Sequence, residues 1–356
     1  MKVALAQMNP LVGDVDGNTQ RILRAVDRAA DAGADLVVTP ELAVLGYPPK
    51  DLLLKEHLIR RNLEAVDRIA RASRRIAIVV GYAQPSDAGR GKPLHNAAAL
   101  CLAGTIAGVH GKHLLPTYDV FDEKRYFQPV EGPTVTRIDL PGFTGKLGIS
   151  ICEDLWNYAS QAQRLPYRKD PIDDLVESGA DLLLNISASP YCLGKQKHRL
   201  EIFSAQVARH HVPLIYVNQV GAHDDLIFDG ASAVFSATGQ VIAQGKAFEE
   251  DLLLVDLDQP ERAPQSPYPE DIAGVYHALR LGTRDYVNKC GFQAVVLGRS
   301  GGIDSAVTAA IAAQALGPDR VHGVALPSRY SSDHSLTDAG TLARNLGIDL
   351  LTLPIQ

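Results

Sequence analysis

Hydrophobic and polar positions alternate along the first 258 residues in two different periods, and each switch of period predicts a new element. Val3 to Gln7 is a continuous apolar run of strand length. Ile22, Leu23, Val26 and Ala30 then recur at helical spacing, with Asn18 as the expected N-cap and Gly33 as the stop. Leu36-Val37-Val38 is a second buried strand, cut short by Thr39-Pro40-Glu41. The pattern next predicts a long helix over Leu52 to Arg75 and a strand over Ile76 to Val80. Asn96 to Leu102 and Ile106 to His110, separated by Ala103-Gly104-Thr105, predict a hairpin, and the strand Leu147 to Ile151 delivers Cys152. Gly33-Ala34-Asp35-Leu36-Val37-Val38-Thr39 is echoed by Gly179-Ala180-Asp181-Leu182-Leu183-Leu184-Asn185. The echo is either a chance repeat of a common helix–strand joint or the mark of two similar halves.

The periodicity stops at residues 259–271, where four prolines (Pro260, Pro264, Pro267, Pro269) and few apolar positions predict a linker. Beyond it the pattern gives a helix over about Ile272 to Lys289 and a strand over Ala294 to Leu297. A glycine loop leads to a helix from Ser305 to Leu316, then a strand from Val321 to Leu326. A helix from Ser335 to Asn345 and a strand from Asp349 to Leu353 complete the run. This βαβαβ order is the start of a parallel doubly wound sheet. The expected organisation is therefore a domain over 1–258, a linker over 259–271 and a second domain over 272–356. Three crossover strands with a bare end make a poor complete domain, so a truncation near Gln356 is expected.

Composition narrows the functional classes. The chain has 356 residues, 46% of them hydrophobic, and a net charge of −6, which gives no general attraction to nucleic acid. No apolar run is long enough to span a membrane, and the N-terminus lacks the features of a secretory signal. Four widely spaced cysteines (Cys101, Cys152, Cys192, Cys290) without a CxxC pair argue against a zinc site or a disulfide framework, and point to a reducing cytoplasm.

Three segments carry candidate chemistry. Cys152 follows the apolar run Lys146-Leu147-Gly148-Ile149-Ser150-Ile151 and precedes Glu153-Asp154-Leu155-Trp156. A thiol at a strand end before a turn can be presented to a substrate, with backbone N–H groups nearby for an oxyanion. A free cysteine is otherwise a small core hydrophobe, but two adjacent carboxylates are unusual in a core. Thr39-Pro40-Glu41-Leu42 sets a carboxylate at another strand end, and Gly111-Lys112-His113 opens a polar loop studded with aromatics. Singly, Glu41 reads as a surface acid and Lys112 as a solvated lysine.

Together these segments resemble the nitrilase superfamily, whose Glu-Lys-Cys triad falls in this chain order, over residues 1 to about 258. The resemblance implies a four-layer α-β-β-α sandwich with Glu41 as general base, Lys112 as oxyanion stabiliser and Cys152 as nucleophile. It also implies that Glu123 orients the lysine, where the residues alone equally allow a loop acid paired with Lys124 or Arg125.

A second motif follows the linker. Gly298-Arg299-Ser300-Gly301-Gly302-Ile303-Asp304-Ser305 lies between a strand and a helix, where glycines and a helix N-terminus favour an anion. It resembles the pyrophosphate loop of ATP pyrophosphatases, with no Gly-Lys-Ser/Thr of the ordinary phosphate loop. An amidase joined to this loop resembles the glutamine-dependent NAD+ synthetase family. Ile151-Cys152-Glu153-Asp154-Leu155-Trp156 and Leu326-Pro327-Ser328-Arg329-Tyr330-Ser331-Ser332 are similar to two of its segments.

That resemblance implies that Tyr118, Ser189 and Lys195 hold L-glutamine, although Ser189 and Lys195 also suit a plain surface loop. It implies that residues 298–305 bind ATP, with Asp304 on the Mg2+ side, in an incomplete Rossmann-like α/β domain. The implied reaction releases ammonia from glutamine through a Cys thioester, with no cofactor, and uses it to amidate ATP-adenylated deamido-NAD+, giving NAD+, AMP and pyrophosphate. The implied assembly is a homo-oligomer without nucleic-acid or membrane partners. Arg299 departs from the apolar residue usual in the family. On this reading the chain as given supports only the glutaminase half. The competing readings are a free-standing nitrilase-type amidase and a non-catalytic remnant.

Overall fold

The buried runs pair into two six-stranded sheets whose inner faces supply one shared core. In the first sheet the strands lie in the order Asp251–Asp256, Lys2–Gln7, Leu36–Val38, Ala77–Pro85, Leu94–Leu102, Thr105–Gly111. In the second the order is Val241–Gln244, Ala233–Phe235, Leu214–Asn218, Leu182–Ser187, Phe143–Ile151, Val135–Leu140. Val3, Leu5, Leu36, Val38 and Val79 of the first pack with Leu147, Ile149, Ile151, Leu184, Ile186 and Val217 of the second. Helices Val15–Asp31 and Glu56–Ala72 cover the outer face of the first sheet. Pro171–Glu177 and Lys195–His210 cover the second, where Ile172, Phe203 and Val207 meet Leu183, Leu214 and Tyr216. The central strands are thus buried on both faces, which is why they read as unbroken apolar runs. This computed structural model, which describes residues 1–86, 91–156, 167, 169–269, 271–331 and 333–355, has the expected α-β-β-α layering.

The two sheets repeat one plan. Lys2–Gln7, Leu36–Val38 and Ala77–Pro85 are parallel, with an antiparallel strand on one side and an antiparallel hairpin on the other. Phe143–Ile151, Leu182–Ser187 and Leu214–Asn218 repeat that arrangement. The sequence echo marks the same joint in each. Lys2 donates its N–H to Asp35 Oδ2 at 2.8 Å and accepts from Asp35 N–H at 2.8 Å. Lys146 does the same with Asp181 at 2.7 and 2.8 Å. In both, a glycine at positive φ (Gly33 at 74°, Gly179 at 85°) turns the chain from helix to strand. Since Val3 pairs with Leu36 as Leu147 pairs with Leu182, Met8 is the counterpart of Cys152.

Local details depart from the sequence pattern. The first helix is capped by Asp14, whose carboxylate accepts from Gly17 N–H at 3.0 Å, and not by Asn18. Asn18 is buried one turn in, bonding Leu11 N–H, Leu11 O and Val44 O, so a tertiary contact took the residue that capping would have used. The expected helix over 52–75 is a 3-10 turn, Lys50–Leu54, followed by an α-helix, Glu56–Ala72. Part of the 259–271 segment is pinned to the second sheet. Gln244 donates to Pro264 O and accepts from Ser266 N–H, both at 2.9 Å, and Tyr268 OH reaches Asp229 at 2.9 Å.

The chain divides into two units, Met1–Gly221 with Phe228–Tyr268, and Ala222–Ile227 with Pro269–Gln356. The second unit has three parallel strands in the order Val295–Gly298, Val321–Ala325, Asp349–Thr352. Helices Asp271–Lys289, Ile303–Leu316 and Asp333–Leu346 accompany them around a small core of Ala309, Ala312, Ala313, Val321, Ala343 and Ile348. No described helix is long and apolar enough to cross a membrane.

Candidate active site

Glu41, Lys112 and Cys152 are brought together at strand ends from both sheets. Glu41 leaves the strand Leu36–Val38 on a turn that presses against Gly81 of the neighbouring strand. A Cβ at Gly81 would lie 2.4 Å from Pro40 O and 2.5 Å from Leu42 N, so only glycine lets the turn sit there. Leu42, at φ 46°, completes that tight bend. Lys112 follows the strand Thr105–Gly111. Cys152, at φ 45°, opens a one-turn 3-10 helix, Cys152–Leu155, directly after the strand Phe143–Ile151. A non-glycine residue held in the left-handed region is strained, as functional turns often are.

The charges form one buried network. Lys112 Nζ donates to Glu41 Oε1 and to Glu123 Oε1, both at 2.7 Å, with Lys112 and Glu41 fully buried and Glu123 5% exposed. Asn96 Nδ2 donates to the same Glu41 oxygen at 2.7 Å, and Ala188 N–H donates to Glu41 Oε2 at 2.9 Å. Tyr47 OH donates to Glu123 at 2.9 Å. Burial pushes the Glu123 carboxyl up to about 7, helped by Glu41 and opposed by Lys112. Burial alone would draw the Lys112 ammonium down, but Glu123 and Glu41 outweigh it and hold the group charged. The Cys152 thiol is pushed up by burial first, then by Glu41, with Lys112 pulling the other way. The resting sulfur is therefore a neutral thiol that needs a base.

Asp154 ties the nucleophile turn to the lysine loop. Its buried carboxylate accepts Ile151 N–H at 3.0 Å, His113 N–H at 3.0 Å and Leu114 N–H at 2.8 Å. Both acids after Cys152 are buried, so their presence signals a polar interior network rather than an exposed turn.

Tyr118, Ser189 and Lys195 converge on this centre. Tyr118 OH bridges both oxygens of Glu153, at 3.0 and 2.8 Å, and its phenol is pushed up by burial first, then by Glu153 and by Cys152. Ser189 is buried next to Ala188, the residue that bonds Glu41, and gives its N–H to Asn218 Oδ1 at 2.9 Å. Lys195 Nζ donates to Pro190 O at 3.0 Å and lies 5.3 Å from the Trp156 ring centre. Burial, then Arg199, draws its pKa down, whereas the Cys152 sulfur favours its charge. Beneath them, Arg199 is paired at 3.1 Å with each oxygen of Asp229 and reaches Ser189 Oγ at 3.5 Å.

Asn96, Tyr47, Arg199 and Asp229 join the site without having been expected from the sequence, and Glu153 and Asp154 prove to be part of it and not merely flanks of Cys152. Asn96 and Tyr47 carry no local signal, because their partners are 55 and 76 residues away. Arg125, expected as one possible partner of Glu123, faces Asp51 at 3.5 Å instead.

In the second unit, residues 298–305 form a strand–loop–helix joint. Gly301 is packed so closely that a Cβ would lie 2.6 Å from Ser335 Cα. Gly302 N–H donates to Ser300 Oγ at 3.2 Å, and Ser305 Oγ donates to Ser300 O at 3.2 Å and Gly302 O at 3.1 Å. Gly302 caps the helix Ile303–Leu316, and Ile303 and Asp304 are exposed at its first turn. Arg299 turns inward and is 5% exposed; its Nη1 donates to Ser305 Oγ at 2.9 Å while Nε finds no partner. A cavity of about 320 Å3 borders the loop, lined by Gly298, Arg299 and Ser300 with Ala325, Leu326 and Ser335. In the Leu326 segment Tyr330 is exposed, and Ser332 lies outside the described residues. Among the described residues no group of three potential metal-ligating side chains occurs, so Asp304 stands as a single carboxylate.

Comparison with known proteins matches a carbon-nitrogen hydrolase family over residues 2–265 and an NAD synthase family over residues 275–356. The glutamine-dependent NAD(+) synthetase of Synechocystis sp. is 44% identical, over 99% of this chain and 64% of the relative. The corresponding protein of Thermotoga maritima is 38% identical, over 100% of this chain and 65% of its own length. Among solved structures, a glutamine-dependent NAD+ synthetase from Acinetobacter baumannii in complex with ADP superposes with a TM-score of 0.90 at 38% identity, covering 100% of this chain and 65% of that one. An amidase from Nesterenkonia sp. of the nitrilase superfamily superposes with a TM-score of 0.61 at 26% identity, over 72% of this chain and 90% of that one. The chain spans a little under two thirds of the length of the curated relatives it matches, 64 and 65% for these two.

Proposed function

The chain belongs to the carbon-nitrogen hydrolase family, and from that premise we propose that it carries the glutaminase of a glutamine-dependent NAD+ synthetase together with residues of the synthetase domain. The observation that carries the reading is the buried Glu41–Lys112–Glu123 network at the Cys152 strand end, in a chain that also holds the 298–305 loop.

Glu41 takes the Cys152 proton, and the sulfur attacks the side-chain amide carbon of glutamine. Charge develops on the amide oxygen, where Lys112 and the backbone N–H of Glu153 stabilise it; losing one such donor typically costs a hundredfold or more in rate. Glu41 returns the proton to the departing nitrogen, ammonia leaves and a thioester remains. Glu41 then takes a proton from water, the hydroxide attacks the thioester, and glutamate leaves as the thiol is re-formed. Glu123 and Tyr47 hold Lys112 in position. Tyr118, Ser189 and Lys195 bind the amino-acid end of glutamine, with Glu153 suited to an α-ammonium and Lys195 to an α-carboxylate.

The synthetase reaction uses ATP and deamido-NAD+. Ser300, Gly301, Gly302 and Ser305 bind phosphate at the N-terminus of the helix, and Gly298, Arg299 and Ile303 shape the loop. Asp304 is the carboxylate of this loop that would hold Mg2+, which would supply charge neutralisation at the phosphates. The protein acts in the cytoplasm as a homo-oligomer.

The test is ammonia release from glutamine by the purified chain beside Cys152→Ala, with asparagine and simple amides as controls. Cys152-dependent release selective for glutamine is expected. Turnover of another amide in preference to glutamine would refute the glutaminase reading and favour a free-standing amidase.

A further inference from the structure

Away from the active centre, the first unit holds a cavity of about 290 Å3 whose walls carry four cations. Arg21, Arg24 and Arg28 are spaced three and four residues apart on Val15–Asp31, so they share one face of that helix. Lys246 and Glu250 form the opposite wall, and Ala6, Gln7 and Met8 line the floor. This wall is fixed. Gln7, 1% exposed, donates through Nε2 to Lys246 O at 2.6 Å and to Glu249 O at 2.7 Å.

The lining acids leave positive charge uncompensated. Glu250 faces Arg21 at 3.6 Å and accepts Asn9 N–H at 3.0 Å. Asp251 accepts Lys246 N–H at 3.1 Å, and Lys246 Nζ has only a distant ion pair with Glu249, at 3.9 Å. Arg24 and Arg28 make no ion pair or side-chain hydrogen bond among the described residues. Four cations thus face two lining carboxylates on a chain whose net charge is −6, so the patch runs against the overall charge. Cations held together without counter-charge favour a multivalent anion, and guanidinium forks match phosphoryl oxygens two at a time. No aromatic side chain lines the cavity, so a nucleobase finds no stacking platform there.

We propose that this cavity binds a diphosphate group, free or carried by a nucleotide. The inference does not depend on the glutaminase reading, since none of its residues belongs to that centre.

Arginine-selective modification of the full chain with phenylglyoxal, mapped by peptide mass, tests it. About 1 mM inorganic pyrophosphate should slow modification of Arg24 and Arg28 by about fivefold or more. Exposed Arg60 and Arg71 should be unaffected, as should all four sites in sodium chloride of matched ionic strength. Protection by ADP as well as pyrophosphate assigns the site to nucleotide-borne diphosphate, and protection by pyrophosphate alone to the free ion. By calorimetry, Arg24→Ala with Arg28→Ala should weaken the pyrophosphate binding that this protection reports by about tenfold or more, and Arg71→Ala should not. Absence of protection, equal protection by chloride, or pyrophosphate-independent protection that grows with protein concentration, as a second copy of the chain would produce, each overturns the proposal.

Discussion

Gly81→Ala tests whether the position of Glu41 is set by a single backbone approach. The added methyl carbon would lie 2.4 Å from Pro40 O, 2.5 Å from Leu42 N and 2.9 Å from Glu41 C, all backbone atoms that cannot swing aside. Ordinary contact needs about 3.4 Å or more, so the Glu41 turn must retreat by roughly 1 Å. Glu41 is held by Lys112 and Asn96 at 2.7 Å and by Ala188 N–H at 2.9 Å, and such a shift stretches those bonds past useful length. A 1 Å misplacement of a catalytic group costs about a hundredfold, or about 2.7 kcal/mol of transition-state stabilisation. Overpacking should also remove about 1–3 kcal/mol of stability. The assay is kcat/KM for ammonia release from glutamine, with urea unfolding on the same preparations. Gly245→Ala is the control, because its Cβ would meet nothing closer than 3.4 Å. A Gly81→Ala protein that folds and keeps kcat/KM within about threefold of the parent would refute the reasoning.

Other outcomes follow from the buried polar groups. Asp154→Ala strips acceptors from three backbone N–H groups and should cost about 3–5 kcal/mol in urea unfolding, with loss of glutaminase activity as the Lys112 loop loosens. Asp229→Leu leaves the Arg199 guanidinium buried without its counter-charge and should cost about 3–5 kcal/mol. Adding Arg199→Met should recover part of that loss; simple additivity in a double-mutant cycle would contradict the pairing. His110 is buried, gives Nδ1–H to Thr134 O at 3.0 Å, and has its pKa pulled down to about 4, by burial first and His113 as well. The unfolded chain takes up a proton near 6.5 and the folded one does not, so this stabilisation is complete above 6.5 and is lost as pH falls toward 4. Its size is about 3 kcal/mol, and His110→Asn should flatten the acid limb of stability against pH by that amount.

The elements that could be read from the sequence are those whose signal is local. Thr39-Pro40-Glu41 and the strand before Cys152 announced themselves because a buried apolar run ending in a polar group is visible within six or seven residues. Asn18 shows where that fails. Asp14 and Asn18 are both sound caps by propensity, and the choice was made by Val44, 26 residues further on. Glu123 could have paired with Lys124 or Arg125, but a buried lysine competes better for a carboxylate than two solvated neighbours do. Asn96, Arg199 and Asp229 were illegible for the same reason: a lone polar residue, whether in an apolar strand as Asn96 is or on a polar helix as Arg199 is, gains meaning only when the fold brings its distant partner.

The matched sheets have a consequence for how a reactive centre can arise. Each repeat ends its first strand at an equivalent place, where one copy has Met8 and the other has Cys152. Continued past the second strand, the same register sets Glu41, in the turn after Leu36–Val38, against Ser187, the last residue of Leu182–Ser187. At those two places neither copy has both the acid and the thiol, so neither sheet alone assembles the Glu41–Cys152 pair. The pair therefore exists only while the two sheets are packed face to face, and whatever parts their shared core removes it whole.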